Sequence, residues 1–440
     1  MTNSLTPKLK NNKGVALILT FLTMTLLLIF LAAFVGMSIN QNIISDIFRK
    51  RTKAFYLAEA GLDHGVNWLR SQASPPVGDV TNPWGGTQSL AGGTYTVFID
   101  DLGLVGGAGS SIRRYKLTST GTFGSMNRIL SNFVQVDNYA RYLWFTNKEL
   151  FDDIPVWFGN NDVLNGPTFT NGHFNIYRNP TFGSEVRSVD DYITFYNNNP
   201  NNHVNLQQTT NPPHDLPDFQ QGMQFGAESS TMPSQALGLR SAASGGGLSL
   251  SGNTIVTLQA DGTMRVTNSK KKWTNKSMAL PANGALFVNK GTLTISGTLD
   301  GRLTAGASDD VIIPSNIIYK DNPRTNPNSN DTLGLIGEKD IVIDDDASTN
   351  LEIDACIMAM GTSFMVENWQ TIAAKGTLTV YGGIIQDERG PVGTFNSQTG
   401  QKISGYSKDY LYDTRLLASP PPYMPTTGDY VTLSWEEDQP

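Results

Sequence analysis

The first seventy residues follow two hydrophobic patterns in succession. Residues 14–45 are mostly apolar, and the first charged side chain after Lys13 is Asp46. About twenty apolar residues suffice to cross a bilayer as a helix, which satisfies its own backbone N–H and C=O groups in hydrocarbon. The pattern therefore predicts a helix that begins at residue 15, with a membrane-spanning part of about 15–39.

The helix is expected to continue beyond the membrane. Between residues 40 and 69 the chain has no proline, and apolar residues recur at spacings of three and four with most charges between them. Pro75 and Pro76 mark the end, because proline and the residue before it disfavour helical geometry. We predict one rod over 15–71, roughly 80 Å long at about 1.5 Å per residue. Its outer half needs a protein surface to cover its apolar stripe.

Residues 72–145 predict a small sheet that supplies this surface. Three runs of alternating apolar and polar residues, 94–99, 114–122 and 127–136, are separated by short segments that contain glycine. Such runs are typical of half-buried antiparallel strands in a meander. We expect the helix to pack on the buried face of this sheet.

Residues 146–440 predict a large all-β region, which makes the whole chain α+β. Short apolar runs alternate with turns of Gly, Asn and Asp, and GTLTISG at 291–297 resembles GTLTVYG at 376–382. Recurring short strands favour the stacked coils of a β-solenoid. A β-sandwich is the alternative. Residues 195–250 are rich in Asn, Pro, Gln and Ser and predict an irregular insertion.

The C-terminal segment is rich in aromatic residues and proline. Tyr410, Tyr412 and the run 420–425 precede Trp435. Because an open solenoid end needs a cap, we expect an extended strip that covers it. The alternative is a polyproline strip that binds a partner.

Composition removes several functional classes. The chain of 440 residues has a net charge of −7 and a single cysteine. The acidic balance argues against a nucleic-acid partner, which favours a basic face. The lone Cys356 excludes an intrachain disulfide and is expected to be a small buried hydrophobe.

No catalytic constellation stands out. The four histidines have no metal-ligand spacing, and neither a phosphate-binding glycine loop nor a nucleophile elbow is present. The acidic pairs and triplets at 309–310 and 344–346 fall where strands end, and aspartate is an ordinary turn residue there. Calcium binding or catalysis by these carboxylates is the alternative. We therefore expect a protein that is not an enzyme and has no cofactor or metal.

The N-terminal region resembles a known family. The leader 1–14 carries Lys8 and Lys10, ends at Gly14 and precedes the apolar run; Phe55-Tyr56-Leu57-Ala58-Glu59-Ala60-Gly61-Leu62 follows farther along the helix. This combination resembles type IV prepilins, and the second segment is similar to the AFxxAEAGL segment of PilX-type minor pilins. The resemblance covers about the first seventy residues. The β-rich region that follows is similar to domains attached to PilX-like N-termini.

The resemblance implies processing, partners and location. A prepilin peptidase would cut after Gly14 and methylate Val15, which departs from the usual phenylalanine. The partners would be other pilins, which contact the N-terminal helix. The protein would cross the bacterial inner membrane once, with a cytoplasmic N-terminus favoured by the leader lysines and with the β-domain outside. It would then reach the pilus or the cell surface.

Leu19 is the second departure from the family pattern. It occupies the fifth mature position, where major pilins carry a glutamate that pairs with the N-terminal amine of a neighbouring subunit. A carboxylate in hydrocarbon needs such a partner, and a tip subunit has no neighbour above it. Leu19 thus favours a tip-located or assembly-initiating subunit. The alternative is a peripheral subunit that tolerates leucine.

The sequence supports three functional hypotheses. The first is a minor pilin or pseudopilin that presents a large β-domain for adhesion or assembly. The second is a single-pass, membrane-anchored β-solenoid that serves as a surface adhesin or carbohydrate-binding protein. The third is an anchored polysaccharide-processing enzyme.

Overall fold

The computed structural model describes residues 13–72, 74–106, 109–160, 162–199, 203–207, 214–396, 399 and 401–438. The predicted α+β class is confirmed, because one long helix precedes a large all-β region. Helix α1 (Lys13–Arg70) is 58 residues long and runs without a break through the expected membrane and surface parts. Residues 1–12 of the predicted leader lie outside the described residues.

A small antiparallel sheet follows the helix. Its first strands are β1 (Val80–Thr81), β2 (Gln88–Leu90), β3 (Gly93–Leu104), β4 (Arg113–Phe123) and β5 (Met126–Asn138). Strands β3, β4 and β5 form the expected meander, in which Ile99 pairs with Leu117 and Thr118 pairs with Ser131. Side chains alternate between the two faces along each strand, so one face is apolar and buried.

The buried face of the sheet packs on the outer half of α1. Leu57 and Leu62 of the helix share one core with Val97 and Leu117 of the sheet. The approach is close, because a Cβ atom at Gly65 would lie 2.9 Å from a methyl carbon of Leu117. Small residues on this side of the helix therefore allow the two elements to meet.

The remaining chain forms stacked coils in two parts. We call β6–β17 the first half-stack. Its strands are β6 (Trp144–Lys148), β7 (Leu150–Phe151), β8 (Ile154–Pro155), β9 (Val163–Leu164), β10 (Thr168–Thr170), β11 (Asn175–Ile176), β12 (Thr181–Phe182), β13 (Val186–Ser188), β14 (Ile193–Phe195), β15 (Val204–Leu206), β16 (Asp218–Phe219) and β17 (Met223–Gln224). A 3₁₀ helix at Tyr139–Arg141 leads into them.

We call β18–β33 the second half-stack. Its strands are β18 (Leu248–Ser251), β19 (Thr254–Leu258), β20 (Thr263–Asn268), β21 (Trp273–Ala279), β22 (Ala285–Asn289), β23 (Leu293–Leu299), β24 (Arg302–Ala307), β25 (Val311–Ile313), β26 (Ile317–Tyr319), β27 (Thr332–Gly337), β28 (Ile341–Ile343), β29 (Leu351–Ala359), β30 (Phe364–Val366), β31 (Ala374–Glu388), β32 (Gly393–Phe395) and β33 (Lys402–Tyr412). A 3₁₀ helix at Thr414–Leu417 ends this part.

Parallel ladders join each coil to the next. One ladder runs from β18 through β22, β24, β27, β29 and β31. It continues through β6, β10 and β13 to β17. Packed sheets of a β-sandwich are usually built from antiparallel pairs. The parallel register therefore favours stacked coils.

The order of coils in space differs from their order in the chain. The chain enters the stack in the middle at β6 and builds the first half-stack outward to β17. Helix α2 (Leu237–Ser244) then lies near the end of the stack opposite to β17, where it packs on β22 and β18. From there the second half-stack returns until β31 pairs with β6. We call this contact between β31 and β6 the seam.

The segment 195–250 differs from the predicted irregular insertion. Its described residues include β15, β16, β17, α2 and β18, so they complete the first half-stack and carry the chain to the other end. Buried Leu239 of α2 lies against the coils, and Arg240 is paired with Glu338 of β27's following turn. Asn- and Pro-rich composition concealed regular structure because each strand here is only two to four residues long.

The C-terminal strand corrects the predicted end of the β-rich domain. Strand β34 (Thr426–Asp438) pairs antiparallel with β5, so it belongs to the small sheet and not to the coils. The preceding prolines do lie on the coils, where Arg302 donates to the carbonyl of Pro420 at 2.7 Å. Tyr430 is buried between the sheet and the helix. The burial of this side chain offsets the free-energy cost of ordering the chain as it returns from the coils to the small sheet. The predicted cap is therefore wrong for residues 426–438.

Candidate assembly interface

The inner half of α1 is not covered by any of the residues that the structure describes. Every residue from Gly14 to Ser45 is exposed, and Leu17 and Phe21 are each 72% accessible. In the part of the chain that the structure describes, one helix is long and apolar enough to cross a membrane. Contiguous exposed apolar surface of this extent marks a membrane or a protein interaction site.

The residues selected from the sequence all lie on this uncovered part. Val15 is 59% exposed and Leu19 is 60% exposed. Gly14 is helical, and a Cβ atom placed on it would meet nothing within 4 Å. The fold thus leaves these three positions accessible, and nothing in the described part of the chain packs over them.

Threonines within the apolar run satisfy their hydroxyl groups locally. Thr20 Oγ1 donates to the carbonyl of Ala16 at 3.0 Å, and Thr25 Oγ1 donates to that of Phe21 at 3.0 Å. In hydrocarbon an unpaired hydroxyl costs several kcal/mol, about 4–8 in a solvent that cannot hydrogen-bond. These bonds make the run compatible with lipid despite its threonines.

The first charges after the apolar run form a compact ion cluster. Asp46 lies 2.6 Å from Arg49 and 2.6 Å from Lys50, at helical spacings of three and four residues. Hydrogen bonds from Lys50 and Arg49 lower the pKa of Asp46 below its ordinary value. The cluster lies where the uncharged stretch of α1 ends.

A groove opens where the helix meets the sheet. It has a volume of about 480 Å³ and is lined by Ile39, Ile43 and Lys50 of α1 and by Met126 at the β4–β5 turn. It continues the exposed apolar face onto the folded domain.

The AEAGL segment has a local structural role that the sequence pattern did not reveal. Ala58 and Gly61 face the sheet and are buried, whereas Glu59 is exposed. A Cβ atom on Gly61 would overlap the hydroxyl of Ser119 and lie 2.9 Å from the Tyr95 ring. Small residues at these helix positions therefore let α1 dock on β3 and β4. Small residues that recur at intervals of four and three along the helix were the sequence signal that could have indicated this role.

The acidic turn at 344–346 and the nearby Glu367 bring together three described carboxylates in a group that is able to hold a metal ion. Ligand oxygens of Asp344, Asp345 and Glu367 lie within 4.8 Å of one another. Burial and the neighbouring aspartates raise the pKa of Glu367. Asp344 accepts the N–H of Asp346 at 2.9 Å, and Asn368 donates to Asp345 at 2.7 Å. Asp344 and Asp345 therefore make hydrogen bonds that are ordinary in a polar turn.

The other chemically distinctive residues have structural surroundings. Cys356 is buried in the coils, and burial raises the pKa of its thiol. His64 on α1 stacks on Trp84 with ring centroids 3.7 Å apart and forms a 2.9 Å hydrogen bond with Tyr95. His173 pairs with Asp190 at 2.9 Å. Packing therefore explains Cys356 and His64.

Three comparisons relate this chain to known proteins. Residues 112–190 match a family described as a domain of unknown function, DUF4900. This match runs from β4 into the first half-stack and so spans the junction of the two domains. No curated protein matches.

One solved structure is similar to a limited degree. It is the crystal structure of the competence-associated pilin ComZ from Thermus thermophilus, which is 13% identical over 88% of this chain and 98% of that chain, with a TM-score of 0.33. A score this low does not establish a shared fold.

Proposed function

We propose that this chain is a minor pilin or pseudopilin of a type IV pilus-like system. Its inner helix would lie in the membrane before assembly and among the helices of other pilins afterwards. Its stacked coils would be displayed outside the cytoplasm for adhesion or assembly. The chain is proposed to have no catalytic role.

The observation that carries this proposal is the change of environment along one unbroken helix. The side chains are exposed from Gly14 to Ser45, and the first buried one is Ala54. An anchor that only tethers a domain needs no rigid connection between membrane and sheet. A subunit that is drawn from the bilayer into a helical bundle does need this rigid connection, because the position of its helix in the bundle sets the position of its β-domain.

Processing at the N-terminus tests the proposal directly. The full chain is produced in a bacterium with a prepilin peptidase, extracted from membranes and examined by N-terminal mass spectrometry. We expect a chain that begins at N-methylated Val15. Gly14→Val should abolish cleavage, whereas Gly36→Val, in the same helix with nothing within 4 Å of its Cβ position, should leave it intact. A chain that retains Met1 or Thr2 overturns the proposal.

Leu19 supports a position at the tip or at the start of assembly. A shaft subunit with leucine here would lack the carboxylate that meets the amine of its neighbour, and an uncompensated amine in hydrocarbon is costly. Immunogold labelling of isolated pili should give one label at an end. Uniform labelling along the shaft contradicts the tip position while leaving the pilin assignment in place.

A further inference from the structure

The corners of the first half-stack form a polar cavity beside a group of aromatic rings. The cavity measures about 510 Å³, and its lining includes Asn160, Tyr177, Arg178, Asn198 and His214. Ligand pockets usually occupy about 300–1,000 Å³ and combine an apolar surface with a few convergent polar groups. This cavity lies far along the chain from the helix and its interface.

Three successive coils contribute the same corner position to the site. Phe158 bridges to Ile176, and Ile176 pairs with Phe195 in the parallel register. The residues that follow are Gly159, Tyr177 and Tyr196, so two coils present tyrosine where the third presents glycine. Gly159 adds no side chain at this corner, and a Cβ atom placed on it would lie 3.9 Å from the Tyr177 ring, whose centroid is 5.1 Å from the guanidinium carbon of Arg178.

The aromatic rings form a continuous, partly exposed group. Ring centroids of Tyr177 and Tyr196 lie 4.9 Å apart, those of Trp157 and Tyr196 lie 5.2 Å apart, and those of Trp157 and His203 lie 4.6 Å apart. Each of these rings is only partly buried. Such rings offer flat apolar faces with polar edges, which suits a ligand that has both kinds of surface.

A buried carboxylate holds the cavity wall in a strained shape. Asp215 is fully buried, and its two oxygens accept the backbone N–H groups of Arg178 at 2.6 Å and Asn197 at 2.5 Å. Arg178, Asn197 and Asn198 all have positive φ, at 61°, 50° and 51°. Such a conformation persists where its surroundings hold it, and the hydrogen bonds to Asp215 hold two of these three residues. Asp215 is therefore a positioning residue that orders the wall before any ligand arrives.

The lining chemistry selects a class of ligand. Side-chain amides of Asn160, Asn179 and Asn198 both donate and accept hydrogen bonds, as hydroxyl groups do. Arg178 adds a guanidinium fork, which matches a carboxylate. A nucleic acid would require several cations along its phosphates, and the chain carries a net charge of −7.

We propose that this cavity binds a carboxylate-bearing oligosaccharide. The apolar face of one sugar ring would lie on Tyr177, its hydroxyl groups would meet the asparagine amides, and its carboxylate would pair with Arg178. The inference deepens the proposed function and rests on it in one respect, namely that the coils are displayed where such a polymer is encountered.

The test titrates the full chain in detergent with an oligogalacturonate hexamer and with a neutral cello-hexaose, by isothermal calorimetry. We expect the acidic hexamer to bind at least tenfold more tightly. Arg178→Asn should remove that preference, because asparagine tolerates the positive φ while lacking the guanidinium. Arg265→Asn, at an exposed position on β20, is the matched control and should bind as the unchanged chain does.

A second variant separates ring stacking from charge. Tyr177→Ala should weaken binding of both hexamers at least tenfold, with the far-ultraviolet circular dichroism of the chain unchanged. Equal affinity for the two hexamers, or binding of polyphosphate or acidic peptide in their place, overturns the proposal. So does wild-type affinity in both variants. None of these results depends on N-terminal processing, so failure here is distinguishable from failure of the pilin assignment.

Discussion

Two strand pairings, which we call closures, join parts of this chain that are distant in the sequence. They are built differently. In the small sheet, β34 pairs with β5 across about 300 residues of sequence and forms an exposed edge. In the coils, β31 pairs with β6 at the seam, in the middle of the stack. The first closure depends on apolar contacts on one face. The second closure buries charged side chains.

The seam carries a buried ion network whose signs divide by half-stack. Glu149 and Asp162 come from the first half-stack, and Arg389 and Lys408 come from the second. Arg389 lies 3.2 Å from Glu149, and Lys408 lies 2.6 Å from Asp162. Although burial opposes its ionisation, Lys408 and Arg389 together lower the pKa of Asp162.

The charged side chains at the seam fix the register of the stack. Other coil contacts, such as Leu303 beside Leu333, are apolar and would tolerate a neighbouring coil of similar shape. Opposite charges on the two faces of the seam favour one pairing, because a mismatched coil would leave buried charges unpaired. The edge closure needs no such device, since among the described strands β34 pairs on one side only, with β5.

The largest expected effect comes from removing the central cation of the seam. Arg389→Met leaves Glu149 buried without its counter-charge, although Trp144 and Thr146 still donate to it at 2.9 and 2.6 Å. Breaking a buried pair in this way costs about 3–5 kcal/mol. Urea unfolding of the full chain in detergent should show a loss of this size.

Lys148→Met is the matched control for the seam. Lys148 pairs with Glu388 across the same strands at 3.1 Å but is 54% exposed. An exposed pair contributes about 0.2–1 kcal/mol. If both variants unfold at the same urea concentration, the buried charges do not stabilise the seam.

The edge closure is expected to respond next most strongly to loss of Tyr430. This side chain is 7% exposed, and its ring centroid lies 6.0 Å from that of Tyr115. Tyr430→Ala should cost about 3 kcal/mol, at the low end for a buried aromatic residue, since the site is at the sheet edge. Hydrogen exchange of the β5 amides should accelerate while that of the coils stays constant.

Leu433→Ala serves as the comparison within the same strand, because Leu433 is 47% exposed. Its amide exchange should match that of the unchanged chain. Faster exchange in the coils after Tyr430→Ala would show that the two closures are not independent.

A buried carboxyl within one half-stack gives an effect that depends on pH. Burial raises the pKa of Asp354 from 3.8 to about 6, although the N–H of Tyr319 and the charge of Arg324 oppose this. The folded state therefore binds this proton more tightly, and the resulting stability is present below pH 4 and lost as the pH rises through about 6.

Asp354→Asn should therefore stabilise the coils at pH 8 by about 1–3 kcal/mol and leave their stability nearly unchanged at pH 4. The amide oxygen can still accept the Tyr319 N–H, now 2.9 Å from the carboxylate. Thermal melts at the two pH values measure the difference. Equal gains at both would mean that ionisation of Asp354 is not the cause.

The smallest effect is expected for the ion pair that joins helix and edge strand. Arg70 lies 2.6 Å from Asp429, and both side chains are about half exposed, at 40% and 45%. Arg70→Ala should cost less than about 1 kcal/mol, and the loss should shrink at high salt. Melting at low and high salt measures it; a larger loss that salt does not reduce would indicate packing by the arginine stem.

Sequence reasoning was most reliable where the signal was local. The uncharged run before Asp46 and the three-and-four spacing after it predicted one long helix, and alternation predicted β3, β4 and β5. It failed for β34 and for residues 195–250. The partner of β34, strand β5, lies far away in the sequence. The strands within 195–250 are two to four residues long and carry too little periodicity to be recognised.

The candidate binding cavity was also beyond reach of the sequence. Tyr177 and Tyr196 look like scattered aromatic residues until parallel stacking places them at one corner. Asp215 looks like a loop aspartate until its oxygens are seen to accept two backbone N–H groups from different coils.

By itself, the sequence determined the helix, its two environments, the meander and the β-rich character of the remainder. These follow from hydrophobic periodicity, which acts between residues a few positions apart. The order of the coils, the partner of β34 and the charged seam are instead set by tertiary packing. Those depend on which of many similar short strands pair, a choice made by burial of side chains remote in the sequence.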